Sequence, residues 1–341
     1  MIGTGGVGSG SFFALDGNQT LGREESRGGR FLDCQDYCKL HIISHYVKVL
    51  SNPEFTVTLA SKIGDDPAGH RLLADMDEIG LDRRYVAVSP GDATLYSICF
   101  LYPDGSGGNL TTSNAATARV DTSFIENLAP EFARWHGQGV ALAVPEVPLP
   151  ARQRLFELAK AHEFFTVASL TREEAKMSAS LPILQNCDLL ALNLEEAAAL
   201  GQVELASRSA PNVIQAVLER LQGIQPGICL SVTAGRQGSW CWDGAALTHT
   251  PSISVEVVNT AGAGDAHLAG VIVARAAGLS LPVAHQLGAL VAAMKVTGEH
   301  TIHKGISPGS LLEFALQAHV APSSDIVQLL QPNKPLSSGD R

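Results

Sequence analysis

The stretch Val255-Glu-Val-Val-Asn-Thr-Ala-Gly-Ala-Gly-Asp-Ala-His-Leu-Ala-Gly-Val-Ile-Val-Ala-Arg-Ala-Ala277 decides how this chain is read. A β-branched run, Ile253 to Val258, leads into a turn of small residues, and the almost wholly apolar segment Ala266 to Ala277 follows at once. That order predicts a strand, an anion-binding loop and a buried helix. Gly262 and Gly264 carry no Cβ, so a ligand can approach the backbone closely. The unpaired N–H groups of the first helical turn point at the same spot, with the positive end of the helix dipole behind them. A phosphate would fit there.

Asp265 stands at the mouth of that helix and has two readings. It is either a first-turn capping carboxylate or, beside a transferring phosphoryl group, the acceptor of a proton from an attacking hydroxyl. The dipole would lower its pKa and weaken it as a base, which a loose phosphoryl-transfer transition state tolerates because positioning and charge stabilisation do most of the work. Upstream, the apolar run Asp188 to Leu192 delivers Asn193 at its end, with Glu196 three residues on; this is a capping box or a pair facing a ligand. Ile228 to Thr233 reads as a parallel strand running into the glycine turn Thr233-Ala-Gly-Arg-Gln-Gly-Ser239. Arg236 would reach a phosphate there or stay in solvent.

Asn259 to Ile272 resembles the C-terminal signature of the ribokinase-like (PfkB) carbohydrate kinases, Asp-Thr-x-Gly-Ala-Gly-Asp, and departs from it only at Asn259. The resemblance implies a backbone anion hole at Ala261, Gly262, Ala263 and Gly264, with Asp265 as base. Asn193 to Glu196 is similar to the family's Asn-x-x-Glu, which implies that Glu196 orients water around Mg²⁺ and the phosphates of ATP. Thr233, Gly235 and Gly238 match Thr-x-Gly-x-x-Gly, close to those phosphates. K⁺ is a further implied ion, partly through the position that is Asn259 here, whose neutral amide is the weaker ligand. In the N-terminal third, Gly28-Gly29-Arg-Phe-Leu-Asp33 stands where the family shows Gly-Gly-x-x-x-Asn, opening a helix that runs to about Leu50. On this alignment Gly28, Gly29 and Asp33 face the sugar; otherwise they form a surface loop and first turn. Ser11 and Asn114 fall near further sugar contacts.

The remaining chain agrees with one large α/β unit. The sequence has 341 residues, 45% of them hydrophobic and only 17% charged, which describes a well-buried globular protein. A formal net charge of −10 argues against a nucleic-acid partner. No apolar run is long enough for a membrane span, and no basic region precedes an apolar one at the N-terminus, so the expected location is the cytoplasm. The cysteines at 34, 38, 99, 187, 229 and 241 form no Cys-x-x-Cys pair. Cys34 and Cys38 would share a helix face with His41 and His45, which leaves a metal site there as an alternative to buried thiols.

Gly3-Thr-Gly-Gly-Val-Gly8 matches a dinucleotide fingerprint, but Ser11 to Leu15 and the turn after it read as strand, where the fingerprint needs a helix. Thr56 to Ile63, Val140 to Val144 and Phe165 to Ser169 are expected strands, and Asp65 or Asp66 caps a helix that ends at Gly80. Ala93 to Tyr102, a turn at Pro103 to Gly108 and Asn109 to Thr112 form a hairpin projecting from the main sheet. His267 stands where the family it resembles often has Phe, which implies a packed aromatic substitute. The pattern fades after about Leu316.

The expected architecture is a ribokinase-like α/β/α sandwich with a mainly parallel sheet over residues 1–317. Parts of about 10–30 and 92–114 would form a small β lid that also offers a homodimer surface, and a tail, 318–341, would be mobile or dock on a neighbour. The implied activity is ATP-dependent phosphorylation of a primary hydroxyl on a sugar or nucleoside. The alternative is a non-catalytic sugar- or nucleotide-binding member of the same fold.

Overall fold

The computed structural model describes residues 1–331, except 21, 105 and 106. In chain order the strands are β1 Ile2–Thr4, β2 Gly8–Leu15, β3 Gly29–Tyr37, β4 Thr58–Gly64, β5 Asp82–Ser89, β6 Leu95–Leu101, β7 Gly107–Thr111, β8 Val140–Ala143, β9 Phe165–Ser169, β10 Leu189–Asn193, β11 Cys229–Thr233, β12 Ser239–Trp242 and β13 Leu247–Thr250. They build a nine-stranded sheet, β13-β12-β11-β10-β9-β8-β1-β4-β5, and a separate four-stranded sheet, β3-β2-β6-β7. Every pairing from β5 to β11 is parallel; β12 and β13 close one edge in antiparallel fashion.

Continuous apolar runs make the parallel strands, because both faces of such a sheet are covered. In β8 the side chains alternate between two cores: Val140 and Leu142 join one, Ala141 and Ala143 the other. The first core gathers the helices Lys39–Leu50, Pro67–Ile79, Ala263–Ala276 and Leu281–Lys295; the second gathers Leu149–Ala161, Leu194–Leu200 and Ala210–Gln222. Each fully buried Leu or Ile contributes roughly 1.5–3 kcal/mol. Helices 263–276 and 281–295 approach especially closely, since a Cβ on Gly270 would lie 2.8 Å from Gly288 Cα.

The glycine-rich start is no dinucleotide fingerprint. β1 lies inside it, and the chain passes straight from β1 to the lid strand β2 without a helix. The glycines serve packing: a Cβ on Gly6 would come within 2.0 Å of Glu146 Oε2, and one on Gly10 within 2.4 Å of Asp36 Oδ2.

Three expectations are corrected. Ile253 to Val258 forms no strand; Val258 and Asn259 donate their amides to Val296 O, at 2.8 and 3.2 Å. β-branching favours extended backbone but cannot supply a ladder partner. Gly29–Tyr37 is a lid strand paired with β2, so the helix expected from Gly28 starts only at Lys39. Cys34 therefore lies on a strand while Cys38 caps the helix, and among the described residues no cluster of His, Cys, Asp or Glu could hold a metal. Beyond Leu316, Ser324–Leu330 is a helix whose Ile326 and Leu330 are buried in the first core. Residues 332–341 of the expected tail, and Gly105 and Ser106 of the expected turn, lie outside the described residues. Among the described residues no helix is long and apolar enough to cross a membrane.

Candidate active site

β9, β10 and β11 end side by side, and in register Asn193 pairs with Thr233. In an open parallel sheet the carboxyl edge is where ligands bind. A cleft opens there, lined by Lys39, Asn193, Glu196, Thr233, Gly264 and Asp265 among others. Helices 39–50 and 263–276 pack against one another, and both present their first turns to this cleft.

Gly262 caps the second helix with φ +78°, a left-handed conformation a side chain would strain, and a Cβ there would stand 2.9 Å from Thr301 O. Not all the loop amides expected to form an anion hole are open. Ala261 N donates to Asn259 Oδ1 at 2.9 Å and Ala263 N to Thr260 O at 3.1 Å. Among the described residues no acceptor meets the amides of Gly262, Gly264 or Asp265. These are the orphan donors of a helix start.

Lys39 Nζ lies 3.6 Å from Asp265 Oδ1, with the two side chains only 26% and 17% exposed. Burial raises the Asp265 pKa, Lys39 pulls it back, and Asp36 adds to the rise; the net shift is upward. The dipole was expected to lower it, but desolvation of the carboxylate wins. Burial opposes the charge of Lys39, yet Asp265, Glu196 and Glu146 together hold its pKa above the ordinary lysine value. Burial, countered by Lys39, pushes Glu146 up to about 7. Glu146 also has φ +78°, which is strained for a residue with a Cβ.

The capping box at Asn193 forms: its Oδ1 accepts from Glu196 N and Glu196 Oε2 accepts from Asn193 N, both at 2.8 Å. Both residues nevertheless line the cleft. Burial raises Glu196 while Lys39 lowers it, with a net rise. His267 also lines the cleft; it shares Ser239 Oγ with His285, each at 3.1 Å, and burial holds it down to about 4, so it packs as a neutral ring.

Of the residues nominated from sequence, the structure brings Asn193, Glu196, Thr233, Gly264 and Asp265 into one cleft, with Ala261, Gly262 and Ala263 on the adjoining loop. Gly235 and Gly238 sit beside it in the turn after β11 with φ of +54° and +86°, and a Cβ on Gly238 would meet Thr250 O at 2.2 Å. The turn itself therefore requires both glycines, and Arg236 is exposed. Ser11, Gly29 and Asp33 ride on lid strands, with Gly28 just before them, and Asn114 is exposed; none lines the cleft. Asp33 is exposed, whereas Asp36 is buried and bonded to Ser97 Oγ at 2.8 Å. Lys39 was missed. Its signal is a cation in the first turn of a helix, where the dipole disfavours it.

The sequence matches the pfkB family carbohydrate kinase pattern over residues 44–307. The chain belongs to the pfkB family of carbohydrate kinases. Along 96 residues it is 33% identical to fructoselysine 6-kinase from Shigella flexneri, a match that spans 28% of this chain and 37% of that enzyme. The fold of this pfkB member resembles ribokinase from Cryptococcus neoformans in complex with ADP, with a TM-score of 0.75, 17% identity, and coverage of 92% and 98% of the two chains. It also resembles Burkholderia thailandensis nucleoside kinase in complex with inosine, with a TM-score of 0.74, 15% identity, and coverage of 95% and 99%. At these identities the likeness is one of fold: a large, mainly parallel sheet between helices, with a smaller sheet beside it.

Proposed function

We propose that this pfkB member is an ATP-dependent kinase that phosphorylates a primary hydroxyl of a sugar or nucleoside. The observation that carries the reading is the meeting of the largely buried carboxylate of Asp265, the open helix-start amide of Gly264 and the Lys39 ammonium in one cleft, with the open amide of Gly262 on the adjoining loop. Asp265 would accept the hydroxyl proton as the acceptor O–P bond forms and the bond from the γ-phosphorus to the bridging oxygen of ATP breaks, releasing ADP; its raised pKa makes it a better base than an exposed carboxylate. The open amides and Lys39 would hold charge developing on the transferred phosphoryl group. Asn193, Thr233 and the turn at Gly235 to Gly238 would face the nucleotide. Ser11, Gly28, Gly29, Asp33 and Asn114 could touch an acceptor only from the lid side, not from a helix start.

The cleft suits Mg²⁺ bound with the nucleotide, because the capping box engages Glu196 Oε2 and leaves the second carboxylate oxygen for a metal-bound water. Mg²⁺ supplies charge neutralisation on the phosphates when bound. The lid exposes Phe31, Leu110 and Tyr96, which supports a homodimer through that sheet; light scattering would test it.

The deciding experiment is ADP release over a panel of sugars and nucleosides. Asp265→Asn should lower turnover by roughly 10²–10⁴-fold while ATP binding persists. The position of the expected sugar contacts outside the cleft favours a second reading, a non-catalytic sugar- or nucleotide-binding member. Tight sugar binding with no turnover on any hydroxyl compound would select it.

A further inference from the structure

The loop that carries the open amides is anchored from behind by a buried cation. Lys295, the last residue of helix 281–295, has no exposed surface, and its Nζ donates to Asn259 O at 2.8 Å. Around the same turn, Val258 N and Asn259 N both donate to Val296 O, Asn259 Nδ2 donates to Glu299 O at 2.6 Å, and Asn259 Oδ1 accepts from Ala261 N. A monovalent cation is held by several oxygens converging on it with no donor among them. Here Asn259 O, Asn259 Oδ1, Val296 O and Glu299 O each accept from an N–H, and one of those donors is the Lys295 ammonium. K⁺ placed on Asn259 O would stand against the ammonium, and like charges at that distance repel. The residues present do not fit K⁺.

A lysine at a helix C-terminus is favourably placed against the last carbonyls; burial pulls the Lys295 pKa down to about 8 against the opposing pull of Asp265 and Asp36, so the ammonium form still predominates at about pH 7. We infer that Lys295 supplies from within the chain the positive charge that a monovalent cation would otherwise bring to the back of the phosphate loop, so that this kinase works without K⁺. Lys295 is a positioning residue: it holds Asn259, and through Asn259 Oδ1 the amide of Ala261, so that Gly262 and Gly264 keep their orientation. The inference rests on the kinase reading for its role in turnover.

The test replaces KCl by tetramethylammonium chloride at equal ionic strength and measures turnover and nucleotide affinity. Both should stay within about twofold for the unaltered protein; a loss of tenfold or more in either, on the order of 1.4 kcal/mol, overturns the inference. Lys295→Ala should lower kcat by roughly tenfold to a hundredfold through loop misplacement, and added K⁺ or methylammonium should restore part of it. A folded Lys295→Ala protein with unchanged kcat, or one that no cation rescues, also overturns it. If that variant does not fold, the salt replacement on the unaltered protein decides alone. Nucleotide affinity needs no turnover, so a chain that binds ATP equally in both salts but phosphorylates nothing fails the kinase reading and leaves this one standing.

Discussion

Lys39 Nζ and Asp265 Oδ1 stand 3.6 Å apart, each from the first turn of a helix whose N-terminus points at the carboxyl edge of the sheet. A cation at a helix start is locally unfavourable, and it persists here because Asp265, Glu196 and Glu146 surround it. The same ammonium lowers the Asp265 pKa that burial raises.

Lys39→Met should therefore act through charge. Asp265 must be ionised to accept a proton, and Lys39 lowers a pKa that burial raises. Without Lys39 the pKa climbs further, so the acid limb of kcat/KM moves to higher pH, and kcat falls by about 10²-fold. Lys39→Arg should keep the limb in place. An unmoved limb in the Met variant would remove Lys39 from the site.

Glu196→Gln separates cap from metal partner. Glutamine can still complete the box with Asn193, so stability should change by less than about 0.5 kcal/mol. The Mg²⁺ concentration for half-maximal activity should rise. A fall in melting temperature with an unchanged Mg²⁺ requirement would make Glu196 a cap only.

Asp66 ties the helix Pro67–Ile79 to the base of the lid. It accepts from Gly69 N at 2.8 Å, Thr94 Oγ1 at 2.7 Å and Thr94 N at 2.8 Å. Burial works against its charge, but these donors hold its pKa below the ordinary aspartate value. Asp66→Ala should cost about 1–2 kcal/mol near neutral pH. A depressed folded pKa contributes stability above the unfolded value of about 3.9 and loses it as pH falls through the folded one, so the gap between the two proteins should close below about pH 4. Urea unfolding at pH 7 and pH 3 reads both quantities.

Gly270→Ala should destabilise by roughly 1–3 kcal/mol, because the new methyl meets Gly288 backbone at 2.8 Å and forces apart the helix that carries Asp265. Gly309→Ala is the control. No atom lies within 4 Å of its added Cβ, and it should be neutral or stabilising by about 0.5–1 kcal/mol. Equal effects of the two in thermal unfolding would contradict the close packing of these helices.

Where local chemistry suffices, the reading from residues held. Asp66 before Pro67 and Gly80 after Ile79 bound a helix as expected, and Asn193 with Glu196 forms the expected box. The reading failed where a strand depends on its neighbour. Ile253 to Val258 has strand residues but no ladder, and Gly29–Tyr37 became a lid strand because β2 pairs with it, which no glycine pair announces.

What the amino-acid order determined was the alternation of apolar strands and helices, the glycine loop before a buried helix and the candidacy of Asn193, Glu196 and Asp265, since each follows from periodicity, capping or dipole within a few residues. Tertiary structure alone decided that Lys39 meets Asp265, that Lys295 reaches back to Asn259 and that Asp36, not Asp33, is buried. Those contacts join segments tens to hundreds of residues apart, and only the packing of helix ends and loops in the folded chain sets such distances.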